Sequence, residues 1–139
     1  MSVITKTVLT SIAVVASATA QAHHSGAMFD MNKCVHVVGT VRAFEFHFPH
    51  SWLWVIVPDV NGGTEVWGFE SAAPVQMSEV DPRWTREVLR KGDKIAVKFS
   101  PMKDGRTGGA LAEVTLPNRL VLRAATPACA NELPPPRPR

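Results

Sequence analysis

Apolar and polar residues alternate along much of the chain, and a period of two residues is typical of strands with one buried face. Three such runs come first, Val35–Phe46, Ser51–Val57 and Thr64–Glu70. The Asn61-Gly62-Gly63 segment between the second and third runs predicts a hairpin turn. Gly39 inside the first run indicates a bulge or bend.

The period changes after the third run. The pattern predicts a short helix over Pro82–Arg90, which Lys91-Gly92-Asp93 ends. Its apolar residues Trp84, Val88 and Leu89 fall on one helical face. Alternation then returns in three further predicted strands, Lys94–Phe99, Ala110–Leu116 and Arg119–Arg123.

This order of elements predicts an all-β fold. Three strands, one short helix between strands 3 and 4, and two or three more strands match a small OB-like Greek-key barrel, with a small β-sandwich as the alternative. We assign the barrel to residues 33–123. An N-terminal arm over 23–32 precedes it, and a disordered proline-rich tail over 124–139 follows it.

Residues 1–22 have the features of a secretory signal peptide. A short apolar stretch ends in the small-residue box Ala20-Gln21-Ala22, so cleavage leaves His23 as the mature N-terminus. Cleavage after Ala20 is the alternative. The apolar stretch is too short to span a bilayer. We therefore expect a periplasmic or secreted protein without a membrane span.

The charge balance changes this picture little. The chain has 139 residues, with 15 Lys and Arg against 12 Asp and Glu, and a formal net charge of +3. The basic residues are scattered, so we expect no nucleic-acid partner.

Two cysteines, Cys34 and Cys129, enclose almost the whole predicted domain. An exported compartment permits a disulfide between them. Two unpaired thiols and thiolate metal ligation remain as alternatives, although neither cysteine has CxxC spacing.

All five histidines lie within residues 23–50, as His23, His24, His36, His47 and His50. An N-terminal histidine offers an amine and an imidazole nitrogen, which together favour copper(II). The His47–His50 corner, made rigid by a proline, offers a further imidazole if the arm folds back over the barrel rim. The other donors available to complete such a site are His24, Met28, Met31 and Asp30.

Ordinary structural roles compete with this interpretation. His47 and His50 are also typical of a strand corner that binds backbone groups, and His36 fits an exposed strand position. Trp52 and Trp54 share one face of their strand, where a solvent-facing pair is able to stack on a sugar or a base. The glutamates of the strands, Glu45, Glu65 and Glu70, are most simply polar-face residues.

The chain resembles a family of small exported proteobacterial proteins of unknown function. The matching motifs are the start His23-His24-Ser25, the segment Pro49-His50-Ser51-Trp52, the strand entry Lys91–Val97 and the hairpin Asp104-Gly105. This resemblance covers most of residues 23–122 and implies the fold and export more than an activity. The first residues are also similar to those of periplasmic copper carriers and copper-dependent oxygenases, which bind metal through a mature N-terminal histidine.

We therefore predict an exported copper-binding protein, a carrier or store, with His23, His24, His47 and His50 as metal ligands. A second periplasmic protein is a possible partner. The alternative is an OB-type binding module for an oligosaccharide, lipid or protein partner, with structural histidines. The sequence offers no catalytic constellation, and a copper oxygenase would need a larger substrate surface than a chain of this length provides.

Overall fold

The computed structural model describes residues 26–132, in which six strands form one continuous sheet. A short 3-10 turn at Gly26–Met28 precedes them. The elements are β1 (Val35–Glu45), β2 (Trp52–Pro58), β3 (Thr64–Glu70), α1 (Pro74–Val80), β4 (Lys94–Pro101), β5 (Gly109–Thr115) and β6 (Val121–Arg123).

The sheet closes on itself as an OB-like barrel. Its strand order is β3-β2-β1-β4-β5-β6, and a short parallel pairing between β3 and β5 closes the first five strands. At the closure, Gly108 has a φ of +98°, and a Cβ there would lie 2.1 Å from the Gly68 carbonyl oxygen. Only glycine fits this contact. The prediction of a small OB-like barrel with one short helix between strands 3 and 4 is confirmed.

The barrel interior follows the alternation of the sequence. Along β2, Leu53, Val55 and Val57 are buried, while the residues between them are more exposed. The irregularity in β1 lies between Val41 and Ala43 and not at the glycine where the sequence suggested it. Gly39 instead serves close approach, because a Cβ there would lie 2.5 Å from the carbonyl oxygen of Ile56.

The position of the helix differs from the prediction. The helix is α1, which begins with a proline and buries only Met77, whereas Pro82–Arg90 forms successive turns. The Asp81 carboxylate accepts hydrogen bonds from both the backbone N–H and the guanidinium of Arg83. This local pairing competes with a helical first turn. Trp84 and Leu89 are nevertheless buried, so their apolar spacing reported burial and not helix.

The start of the predicted disordered tail is ordered in the structure. Residues 124–132 pack on the barrel, with Ala124, Ala128 and Cys129 buried. Cys34 and Cys129 form a disulfide. They belong to a small group that we call the outer cluster, whose buried members are Phe29, Ala110, Ala112, Ala128 and Cys129.

The outer cluster ties both ends of the domain to the sheet. Phe29 forms a β-bridge with Met102, and the backbone N–H of Ala130 donates to the carbonyl of Met31 at 3.1 Å. Among residues 26–132 no helix is long and apolar enough to cross a membrane.

Candidate functional site

His50 is held by a carboxylate from the neighbouring strand. It stands two residues before Trp52, which pairs in register with Glu70 at the end of β3. Residues two apart on an extended chain point to the same side, so this register brings His50 toward Glu70. Its Nδ1 is hydrogen-bonded to Oε1 of Glu70, a residue only 7% exposed.

This pair lines a pocket of about 250 Å³ that the two ends of the domain help to build. Gly26, Phe29 and Met31 contribute from the arm, and residues 125–127 contribute from the other side. The outer cluster anchors both segments, so the walls of the pocket depend on it. The pocket lining is mostly apolar, with the His50–Glu70 pair among its few polar groups.

The two histidines that the sequence grouped together have different partners in the structure. His47 is exposed, with Nε2 3.4 Å from a Glu45 oxygen and Nδ1 3.2 Å from the carbonyl oxygen of Phe48. His47 is not among the described residues that line the pocket of His50. His36 occupies an exposed position on β1, as the sequence suggested.

The remaining predicted ligands, His23 and His24, lie outside the described residues, as do the predicted signal peptide and its cleavage site. Within residues 26–132, no three histidine, cysteine or acidic side chains come together as a metal-binding group. The candidate metal centre therefore has one described histidine, His50, and its carboxylate partner.

A second surface lies on the outer side of β2 and β3. The rings of Trp52 and Trp54 stack with their centroids 5.4 Å apart and an angle of 13° between their planes. The indole N–H of Trp54 donates to Glu45 at 3.0 Å. Gly68 lies opposite Trp54, and a Cβ there would come within 2.6 Å of the indole, so the missing side chain makes room for the ring.

A groove of about 310 Å³ runs along this surface. Trp52, Trp54 and Glu70 line it from the strands, and Arg106 and Thr107 line it from the β4–β5 loop. Glu70 therefore lies between this groove and the pocket of His50.

The sequence pattern alone missed Glu45 and Glu70 as site residues. Both are paired in register with Trp52, one from β1 and one from β3. The predicted hairpin could have indicated Glu70, because counting equal numbers of residues outward from the Asn61-Gly62-Gly63 turn places Glu70 opposite Trp52. The contact with His50 is a tertiary one that no local pattern encodes.

Two further ion pairs lower the pKa of a carboxyl group. The Arg83 side chain hydrogen-bonds Asp81 and lowers the pKa of that carboxyl. The Arg106 backbone N–H, with its guanidinium, likewise lowers the pKa of Asp104. The second pair fixes Arg106 at the rim of the groove, with Nε 2.7 Å from the carboxylate.

The fold is a small OB-like barrel that carries these two surfaces. Residues 11–112 match the model of a family of unknown function, DUF6152, and the chain belongs to that family. No curated protein matches the chain. Among solved structures, the chain is similar to the mitochondrial single-stranded DNA binding protein Rim1 from S. cerevisiae, at 15% identity and a TM-score of 0.44. That match covers 61% of this chain and 94% of the yeast chain.

Proposed function

We propose that this protein is exported and binds copper(II) between its N-terminal histidine arm and His50, as a carrier or store of the metal. The observation that carries the proposal is that Gly26, in the arm, lines the same pocket as His50 and Glu70. The first described residue of the arm thus lies beside a histidine that has a carboxylate partner.

Chain length supports a contribution from His23. Three residue steps separate His23 from Gly26 and span at most about 10 Å. The amine and imidazole of a mature His23 are therefore within reach of the pocket. His24 is available as a further donor. Nitrogen ligands of this kind favour copper(II) over the other divalent metals.

The contact between His50 and Glu70 supports a metal-ligand role for this histidine. A ligating imidazole almost always has its other ring nitrogen hydrogen-bonded to a carboxylate, a carbonyl or water, which fixes the ring orientation. Here the carboxylate of Glu70 bonds Nδ1 and so orients the imidazole ring of His50. His50, and not His47, is accordingly the distal ligand that we propose.

Copper titration of the exported protein tests this function. Copper(II) is expected to bind with nitrogen-rich coordination in electron paramagnetic resonance spectra, and to raise the unfolding temperature because it binds the folded form. An added alanine before His23 displaces the amine, and His50→Ala removes the distal imidazole. Each change should weaken binding, and Glu70→Gln should do so by about tenfold to a hundredfold. The affinity for copper(II) should decrease as the pH is lowered, because the ligands bind only after losing their protons.

His47→Ala and His36→Ala are the matched controls, because each removes an exposed imidazole outside the pocket. Both should leave the spectra and the affinity unchanged. If the N-terminal extension alone weakens binding, the arm chelates copper without the barrel and the built site is wrong. If copper neither binds tightly nor raises the unfolding temperature, a binding module with structural histidines is the better description. Intact mass of the periplasmic protein checks the predicted start at His23.

A further inference from the structure

We infer that the Trp52–Trp54 face is a second binding site, and that its ligand is a neutral oligosaccharide. This site shares Phe29 and Glu70 with the pocket of His50, but it does not depend on the copper proposal.

The first support is the aromatic pair. Trp52 and Trp54 stack at 5.4 Å, and both remain partly exposed on the outer face of β2. Two large apolar rings are thus left partly in contact with solvent on this side of the sheet. An indole face attracts the C–H groups of a pyranose ring, because the π-system is negative on its face.

The second support is the position of the hydrogen-bond acceptors. Glu45 and Glu70 pair with Trp52 from the two neighbouring strands; Glu45 is exposed beside the aromatic pair, whereas Glu70 is buried and bonds His50. Glu45 already holds the Trp54 indole N–H, which orients the ring. A carboxylate oxygen has further lone pairs to accept hydrogen bonds, and bonds to ionised acceptors are the stronger ones. Sugar hydroxyls, which surround the edge of a pyranose ring, are suitable donors.

The charge of the surface decides against a nucleic acid. The outward positions of β2 and β3 include no lysine or arginine; they are Trp52, Trp54, Ile56, Pro58, Thr64, Val66, Gly68 and Glu70. The basic residue of the groove, Arg106, is paired with Asp104. Binding to a phosphate backbone relies on unpaired cations, and two carboxylates beside the bases would oppose it. A neutral ligand avoids this repulsion.

The size and place of the groove also fit. A volume of about 310 Å³ suits a short saccharide segment and is at the lower end of small-ligand sites. Its walls are the faces of β2 and β3, the β4–β5 loop, and Met28 and Phe29 of the arm. The strand faces and that loop are where OB barrels bind oligonucleotides and oligosaccharides. Between those two classes, the carboxylates favour the saccharide.

Titration with defined hexasaccharides tests the inference. The probes are cellohexaose, chitohexaose and maltohexaose, with oligothymidylate as the charged comparison, followed by tryptophan fluorescence and by the indole N–H signals in NMR spectra. At least one hexasaccharide should bind at millimolar concentration or below. Trp52→Ala and Trp54→Ala should each weaken that binding about tenfold or more, as expected for loss of one stacked ring. Glu45→Gln should weaken it by a smaller factor.

Conservative variants and controls separate binding from folding. Trp52→Phe and Trp54→Phe keep an aromatic ring and should retain most of the affinity even if the alanine variants unfold. Phe48→Leu changes an aromatic residue that is 81% exposed and lies outside the groove, so it should have no effect. A metal chelator should leave saccharide binding unchanged.

Three results would overturn the inference. One is no binding of any hexasaccharide at millimolar concentration. Another is saccharide affinity unchanged when both tryptophans are replaced. The third is salt-sensitive binding of oligothymidylate without saccharide binding, which would make the face a nucleic-acid site. None of these results bears on copper, so the two proposals can fail separately.

Discussion

The barrel interior and the outer cluster are both buried, but different kinds of side chain build them. Large residues fill the interior, among them Trp84, Phe69, Phe99 and Leu53. The buried members of the outer cluster are three alanines, Phe29 and a disulfide-bonded cysteine, with Met31, Cys34 and Met102 packed against them. Burial stabilises by about 25 cal/mol per Å² of apolar surface, so small side chains contribute little. The barrel is therefore held by packing, whereas the arm and tail depend on a covalent link.

This difference has a functional side. The arm and the tail both form walls of the His50 pocket, while the groove beside Trp52 and Trp54 takes only Met28 and Phe29 from the arm and no residue of the described tail. Loss of the outer cluster should therefore damage the proposed copper site more than the proposed saccharide site. Loss of the barrel core should destroy both. A core truncation and removal of the disulfide separate these two effects.

The largest effect is expected from a core truncation, Phe99→Ala. The Phe99 ring is 1% exposed and lies 4.9 Å from the Phe69 ring and 5.9 Å from the Trp67 ring, measured between centroids. Removing it leaves a cavity and should lower the free energy of unfolding by about 3–5 kcal/mol. Urea denaturation followed by tryptophan fluorescence measures the change. Val38→Ala, at a side chain 68% exposed, is the control and should be nearly neutral.

The next largest effect is expected from removal of the disulfide by Cys34→Ala together with Cys129→Ala. The link closes a separation of 95 residues, for which chain entropy gives at most about 4.7 kcal/mol, whereas disulfides typically contribute about 2–4 kcal/mol. Hydrogen exchange should accelerate first at Phe29 and Ala130. The N–H of Phe29 donates to Gly26 within the arm, and the N–H of Ala130 in the tail donates to Met31 of the arm. The amides of β2 should change only with global stability. Equal acceleration throughout would mean that the outer cluster and the barrel form one cooperative unit.

Thiol titration of the unfolded, non-reduced protein checks the link itself. The two described cysteines are joined, so no thiol should react. Two reactive thiols would show that no covalent link holds the arm and the tail together.

The sequence pattern predicted the barrel well because alternation reports a buried face directly. The bounds of β3 agree residue for residue, and β4 extends beyond its prediction by only two residues. The helix was misplaced because Trp84, Val88 and Leu89 have helical spacing, yet the Asp81–Arg83 pair holds their segment in turns. Side-chain to backbone bonds of this sort compete with the helix and are invisible to periodicity.

The candidate site was predicted only in part, for a different reason. His50 could be proposed from residue type, but the partners that distinguish it from His47 are supplied by β1 and β3. The ordered start of the tail also escaped prediction, because Ala128 and Cys129 are too few and too small to give an apolar pattern. Long-range contacts decide both features.

The smallest effect concerns a polar link on the barrel side, tested by Asp81→Asn. Arg83 joins Asp81 to β6, because its guanidinium also donates to the Val121 carbonyl at 2.8 Å. The paired carboxyl has a lowered pKa in the folded protein. Its stabilisation is therefore fully present above the pKa of the unfolded chain, near ~3.9, and is lost as the pH falls through the lower folded value. The variant should lose about 1 kcal/mol at neutral pH, and this difference should shrink in strong acid.

Asp104→Asn is the matched control, because Asp104 and Arg106 repeat the same spacing on an exposed loop. The Asp104 side chain is 53% exposed, whereas that of Asp81 is 10% exposed. Solvent screens the exposed pair, so this variant should leave the free energy of unfolding unchanged within error. Urea denaturation of wild type and both variants at neutral and acid pH measures the contrast. Equal losses in the two variants would show that the contribution comes from the local turn, which both aspartates form, and not from the link between Arg83 and β6.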